Sequence, residues 1–272
     1  MGVRVKNEHS HAYSDIQELL EPTDSCPQNI VNVNPANPLD ESSKFDMPNF
    51  IALPVNGRNL KYLTNRGISH EATAYFRLGF CPDGLFRYKK IDGSLAYLDF
   101  AMRVIVPIFD MDGKLVSFQG RDITGQAEKK YLCPHGIRST GAYFFNGHNA
   151  RGAQSIVITE GVFDVIATWQ AVREDPELRD VVPVGSLGKY LSEALVGYLL
   201  KLKDLGLQNI TLMWDGEDAA IADAIATGKL LQKKGFAVRI AILPGKDPNE
   251  VSPDVVREAY KTAEALPPDA YG

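Results

Sequence analysis

Four short, nearly unbroken apolar runs punctuate the C-terminal half of the chain: SIVIT at 155–159, VVPV at 181–184, ITLMW at 210–214 and VRIAIL at 238–243. Runs of this length, without the polar alternation of a half-exposed strand, predict strands of a parallel sheet covered on both faces. Between and after them the apolar spacing predicts helices near 163–174, 190–204, 218–234 and 254–265. Strict alternation of strand and helix predicts an α/β layer fold whose ligands gather at the C-terminal ends of the strands.

The preceding hundred residues read differently. NLKYLTNRGIS starts with helical spacing and stops at Gly67, and HEATAYFRLGF repeats the pattern and stops at Gly79. RVIVPIFDMDGKLVSFQGRDI (103–123) predicts two strands around an Asp112–Gly113 turn. Residues 1 to about 50 are rich in Pro, Asn, Asp and Ser and predict a flexible arm or linker, with one short helix at Ser14–Leu20 capped by Ser14. The expected organisation is an arm (1–50), a mixed α/β subdomain (51–152), a strand–helix domain (153–266) and a tail (267–272).

The formal net charge of −5 is unevenly spread: −5 over residues 1–57, +6 over 58–151 and −6 over 152–272. A basic block beside an acidic one suggests a phosphate-binding surface with a divalent-cation site, although uneven solvated charge gives the same totals. The three cysteines, Cys26, Cys81 and Cys133, are odd in number and far apart, which points to a reducing, cytoplasmic compartment. No CxxC pair encodes a zinc ribbon, so no zinc site is expected in this chain. No apolar run approaches the roughly 18 to 20 residues of a membrane span, and the first residues carry no apolar signal core.

Chemistry concentrates just past the strands. Glu160-Gly161-Val162-Phe163-Asp164 follows the first, Asp215-Gly216-Glu217-Asp218 the third, and Pro244-Gly245-Lys246-Asp247-Pro248-Asn249-Glu250 the fourth. Carboxylates delivered to one sheet edge repel each other unless a cation sits among them, and oxygen donors of this type suit Mg²⁺ or Mn²⁺. Two such ions clamp the attacking and leaving oxygens in phosphoryl transfer. Any one of these acids alone reads better as a helix cap or turn residue; three successive strand ends favour the metal site.

E-G-x-x-D, D-G-E and K-D-P-x-E at these positions resemble the TOPRIM domain, and GSLGK (185–189) resembles the turn after its second strand. GSLGK is no Walker A loop, which needs GxxxxGK[ST]. The block in front, YLTNRGISHEATAYFRLGF (62–80), RVIVPIFDMDGKLVSFQGRDI followed by KKYLCP, and AYFFNGHNA (142–150), is similar to the opening of DnaG-type bacterial and phage primase cores. That resemblance implies a Rossmann-like TOPRIM domain behind a mixed α/β primase subdomain. It also implies template-directed synthesis of RNA primers from ribonucleoside triphosphates on single-stranded DNA. Glu160 and Asp215 would be catalytic; Glu160, Asp164, Asp215, Glu217 and Asp247 would hold two divalent ions, Mg²⁺ or Mn²⁺. Arg66, Arg103, Arg121, Lys130 and Lys246 would meet nucleotide or DNA. A replicative helicase and a separate zinc-binding module are the implied partners. The chain departs from the family pattern at Glu217, where a second Asp is usual, and at Asn249. A TOPRIM nuclease or topoisomerase-like strand-cleaving enzyme, or a replisome scaffold with a weakened metal site, are the alternatives.

Overall fold

The computed structural model describes residues 16–22, 45–188, 190–214, 218–244 and 247–267, and all structural statements concern these. The chain divides into two compact units, Met1–Pro107 with Phe118–Gly136, and Ile108–Ser117 with Ile137–Gly272. The fold is mixed α/β.

In the first unit, β1 (Ile51–Ala52) leads to two short helices, α1 (Lys61–Thr64) and α2 (His70–Tyr75). Ser69 caps α2 by accepting from the Ala72 N–H at 3.1 Å. Strands β2 (Gly79–Cys81), β3 (Leu85–Lys89), β4 (Leu95–Asp99), β5 (Arg103–Phe109), β6 (Leu115–Asp122) and β7 (Tyr131–Leu132) follow, with the Ile108–Ser117 stretch of β5 and β6 counted in the second unit. The last two of the long strands, β5 and β6, flank the expected Asp112–Gly113 turn, where Gly113 has a φ of +79°. β1, β2, β5, β6 and β7 form one sheet in that order, and β3 and β4 pair apart as a hairpin. The core is aromatic. Phe80, Phe100 and Phe118 are fully buried and Phe86 nearly so, with ring centroids 5.0 Å apart for Phe100 and Phe118 and 5.5 Å for Phe86 and Phe118.

The helical pattern expected to run to Gly79 stops earlier. The α2 helix ends at Tyr75, and Arg77 takes the left-handed conformation (φ +53°). The Leu78 N–H bonds the Thr73 carbonyl and the Arg77 N–H the Ala74 carbonyl. That is the Schellman closure that Gly67 supplies to α1. Gly79 is glycine for another reason: a Cβ there would run into the Phe50 ring.

The capping residue expected at Ser14 lies outside the described residues. Within the arm, the short helix expected at Ser14–Leu20 is present as a helical turn over residues 16–19, and residues 16–22 dock. Ile16 and Leu20 are buried, and so is Glu21. The Glu21 carboxylate accepts from the Asn59 N–H (2.9 Å) and the Thr64 hydroxyl (2.6 Å), and its Oε2 lies 2.6 Å from His70 Nε2. Burial pushes the carboxyl up, but the Thr64, Asn59 and His70 hydrogen bonds and the His70 charge outweigh it and hold Glu21 below the ordinary 4.5. Glu21→Gln is expected to cost about 1–3 kcal/mol in urea denaturation at neutral pH, because the Asn59 N–H and its neighbours lose a charged acceptor. A carboxyl depressed in the folded state stabilises above its unfolded pKa and stops doing so as pH falls through the folded one. The wild type should therefore shed this contribution below about pH 4.5, and the Gln variant should lose nothing from this site. Equal acid sensitivity of the two proteins would remove Glu21 from the stability account.

In the second unit a 3-10 turn (Gly147–Ala150) precedes β8 (Ser155–Thr159), α3 (Val162–Arg173), β9 (Val182–Gly185), α4 (Glu193–Asp204), β10 (Asn209–Trp214), α5 (Asp218–Lys233), β11 (Ala237–Ile242), α6 (Pro253–Lys261) and β12 (Glu264–Ala265). The sheet order is β12-β11-β10-β8-β9, with β11, β10, β8 and β9 parallel. Both faces are covered, as the unbroken apolar runs require. Ile156, Ile158, Leu212 and Trp214 cluster with Leu195 and Leu199 of α4 and Ala224 and Leu231 of α5. Val157, Met213 and Ala241 cluster with Ala171 and Val172 of α3 and Val256 of α6. The last helix, expected to reach 265, ends at Lys261. Residues 264–265 instead pair antiparallel with β11, Ile240 opposite Glu264 and Arg239 opposite Ala265. An edge strand offers unpaired backbone groups, and two residues of extended chain satisfy more of them than another helical turn does. No helix among the described residues is long and apolar enough to cross a membrane.

Candidate active site

The parallel register fixes where the chemistry leaves the sheet. Ile158 lies opposite Leu212 of β10 and Thr159 opposite Gly185 of β9, while Trp214 lies opposite Ile242 of β11. Glu160, the segment after Trp214, and Leu243-Pro244 therefore follow three adjacent strands at one edge. Neighbouring strands are about 4.8 Å apart, so the positions following β8 and β11 bracket the end of β10 at about 10 Å from each other.

Glu160 is half-buried, and its carbonyl accepts from the Leu187 N–H at 3.0 Å. Asp164 sits in the first turn of α3, and its Oδ2 accepts from the Gly161 N–H at 2.9 Å, which ties the helix start to the strand end. A Cβ on Gly161 would meet that oxygen at 2.7 Å, so a larger residue there would displace the Asp164 carboxylate from the Gly161 N–H. Asp247 makes an Asx turn, its Oδ1 accepting from the Asn249 N–H at 3.0 Å. Asp215, Glu217 and Lys246 lie outside the described residues. Among the described residues no three His, Cys, Asp or Glu side chains gather as a metal site. The donors that are described at this edge, Glu160, Asp164 and Asp247, are all carboxylates. Hard oxygens without thiol or imidazole fit a divalent cation of the magnesium type.

The four described basic candidates, Arg66, Arg103, Arg121 and Lys130, fall in the first unit and form two groups. Arg66 lies over the Tyr62 ring (4.9 Å to the centroid), Arg121 Nε donates to the Tyr62 hydroxyl at 2.8 Å, and Arg121 stacks on Tyr131 (4.7 Å). Two guanidinium groups and two aromatic rings thus form one connected row. The sequence singled out both arginines as candidates and neither tyrosine. Tyr62 is one helical turn before Arg66, and Tyr131 faces Arg121 across β6 and β7, so spacing carried part of the signal.

Arg103 and Lys130 form the second group. Arg103 is only 6% exposed, and its Nη1 donates to the Gly120 and Lys129 carbonyls at 3.1 and 3.0 Å. Its place is that of a residue fastening the Lys129–Lys130 segment to β6. Lys130 is exposed, and its carbonyl accepts from the Asp122 N–H at 3.0 Å. Burial pushes the Asp122 carboxyl up, yet hydrogen bonds from the Thr124 hydroxyl and from backbone N–H groups outweigh it and hold the carboxyl below its ordinary range. Asp122 is thereby committed as an anion to the turn that follows β6.

Residues 84–137 match the family described as DNA primase catalytic core, N-terminal domain, and residues 157–252 match the Toprim-like family. The DNA primase of Halalkalibacterium halodurans is 28% identical over 229 residues, covering 74% of this chain and 36% of that protein. The DNA primase of Staphylococcus aureus strain COL is 30% identical over 218 residues, covering 70% and 35%. The chain thus spans about a third of the length of the curated relatives it matches. Among solved structures, the DnaG primase catalytic domain bound to ssDNA superposes with a TM-score of 0.60 at 25% identity, over 76% of this chain and 71% of that one. A DNA primase domain from Pseudomonas aeruginosa gives 0.59 at 26% identity, over 75% and 71%. The strand-cleaving alternative is not favoured, because the primase N-terminal match stands in front of the Toprim-like one. A Toprim-bearing primase implies use of a divalent metal, which the carboxylate edge suits. The two matches, in this order, are those of a DnaG-type primase catalytic core, which the chain resembles in sequence and in fold.

Proposed function

We propose that this chain is the polymerising centre of a primase, condensing ribonucleoside triphosphates into short RNA primers on single-stranded DNA during replication in the bacterial cytoplasm. The observation that carries the reading is the sheet edge at which β8, β10 and β11 end side by side, with an acid following each in sequence. Glu160 takes the proton of the attacking 3′-hydroxyl. Glu160, Asp164, Asp215, Glu217 and Asp247 would hold two divalent ions, Mg²⁺ or Mn²⁺, whose charge would offset that of the reacting phosphates as pyrophosphate leaves. Arg66, Arg121, Lys130 and Lys246 neutralise phosphates of nucleotide and template, and Arg103 keeps the Lys129–Lys130 segment in place. A replicative helicase and a separate zinc-binding module are the partners this reading expects.

The direct test is incubation with mixed-sequence single-stranded DNA, labelled ribonucleoside triphosphates and Mg²⁺ or Mn²⁺. New short RNA supports the primase reading, and shortened DNA without RNA would replace it by a nuclease. Lys130→Ala gives a second measure, since its side chain is exposed and the fold does not depend on it. Each phosphate contact on a single strand adds about 0.7 to the slope of log affinity against log salt. Anisotropy titrations should show that slope fall by about 0.7 in the variant, with the same loss on every template sequence. An unchanged slope would take Lys130 off the template path.

A further inference from the structure

The loop between β9 and α4 leaves the sheet at the same edge as Glu160, because β9 runs parallel to β8 with Gly185 opposite Thr159. It is pinned at both ends. The Ser186 N–H donates to the Thr159 carbonyl at 3.0 Å and the Leu187 N–H to the Glu160 carbonyl at 3.0 Å. The Ser186 hydroxyl, buried, donates to the Gly188 carbonyl at 2.7 Å. Leu187 is held at a φ of +57°, a region that a branched-chain residue rarely enters without being forced there by its surroundings. At the far end Ser192 accepts from the Leu195 N–H at 3.2 Å as the cap of α4, and its hydroxyl donates to the Gly141 carbonyl.

Between these anchors stands Tyr190, 69% exposed. It is three residues from the backbone bonded to Glu160, so its Cα lies within about 11 Å of that bond however the chain runs. With most of its surface in water, an aromatic ring a few residues from anchored backbone has area to offer a flat ligand. Nucleobases all carry a π face, and stacking on an aromatic side chain holds them without regard to sequence.

We infer that Tyr190 is a stacking platform for a nucleobase, that of the incoming nucleotide or of the single strand, beside the carboxylate edge. Its placement at a site of nucleotidyl transfer rests on the polymerase reading; its affinity for a base does not. The hydroxyl is not part of the contact, so the ring alone determines the effect.

The test is equilibrium binding of the full chain, followed by anisotropy, to two probes: a labelled oligo(dT) strand, and a fluorescent ATP with Mg²⁺. Tyr190→Ala, Tyr190→Phe and Tyr190→Trp are compared with wild type. Loss of one stacked base weakens binding roughly 5- to 100-fold, so Tyr190→Ala should lose that much, while Phe and Trp stay within about twofold of wild type or bind more tightly. A loss confined to the oligo(dT) arm assigns the template base, and one confined to the ATP arm assigns the incoming nucleotide. Tyr190→Ala within twofold of wild type in both arms, or no binding of either probe by wild type, overturns the inference. Primer synthesis is measured in parallel. Product from wild type and from Tyr190→Ala alike, with equal binding, strikes only Tyr190. A wild type that binds both probes and makes no product strikes the polymerase reading and leaves the platform standing.

Discussion

Glu160→Gln should reduce nucleotide incorporation by about 10²- to 10⁴-fold, the range spanned by removing a positioned general base, while melting at the wild-type temperature in the absence of divalent ions. The separation of the two effects is what the structure supports. Glu160 is half-buried and its backbone is held by the Leu187 N–H, a bond that no side-chain change at 160 removes. Gln has the same length and keeps the neutral hydrogen-bonding capacity of the site. It takes away the negative charge and the proton acceptor while leaving the backbone bond to Leu187 in place. On the polymerase reading, acids following adjacent strands would repel one another, and a divalent cation would relieve that repulsion. Mg²⁺ should therefore raise the melting temperature of the wild type by binding only the folded state, and the rise should shrink in Glu160→Gln. Incorporation within threefold of wild type, or an undiminished Mg²⁺ shift, would move the chemistry away from the end of β8. Asp247→Asn should do less harm, because Asp247 is already spending one oxygen on the Asn249 N–H.

Much of this site could be read from sequence because parallel strands buried on both faces advertise themselves as continuous apolar runs, and their ends are therefore visible to within a residue. Once β8, β10 and β11 are located, Glu160 and the acids after Trp214 and Leu243 fall on one edge by topology alone. What stayed hidden depends on contacts between distant positions. Arg121 and Tyr62 are 59 residues apart, and no local spacing joins them. Arg103 begins an apolar strand and looks like a charge at its mouth, yet its guanidinium is drawn inside by backbone carbonyls that only the fold brings near. Glycine was a misleading stop signal at 79. The turn is closed by Arg77 in the left-handed region, and Gly79 answers to the nearby Phe50 ring. The turn at 16–19 was legible from the apolar spacing of Ile16, Leu19 and Leu20, but its anchor was not: Glu21 is a buried acid whose partners lie about forty residues on. Two-residue strands such as β12 carry no periodicity at all; they exist because an edge needs covering.

Phe118→Ala should be the most destabilising single change in the first unit, costing about 3–5 kcal/mol. Phe118 is fully buried and touches Phe86 and Phe100, so truncation removes the ring whose loss neither neighbour can fill by a small shift. The strand itself leaves no slack: a Cβ on Gly120, two residues along the same face, would meet the Phe100 ring at 2.5 Å, so Phe100 is already seated hard against β6. With total stabilities of about 5–15 kcal/mol usual for a domain, the variant should stand near its unfolding threshold, and urea denaturation should show it. Leu85→Ala is the control, because Leu85 is 59% exposed and its removal should fall within about 0.5 kcal/mol of zero. The functional consequence follows from geometry on the same strand. Arg121 is three residues beyond Phe118, and it holds Tyr62 and Tyr131 in line, so a β6 that loosens at Phe118 lets that row of guanidinium and aromatic groups disperse. Template affinity should then fall in Phe118→Ala even at temperatures where the protein is still mostly folded, and fall in parallel with the loss of stability across a Phe118→Leu, Phe118→Val, Phe118→Ala series. A Phe118→Ala protein less than about 1.5 kcal/mol below wild type would show that the aromatic cluster is not what holds β6, and an unaltered template affinity through the series would detach the arginine–tyrosine row from binding.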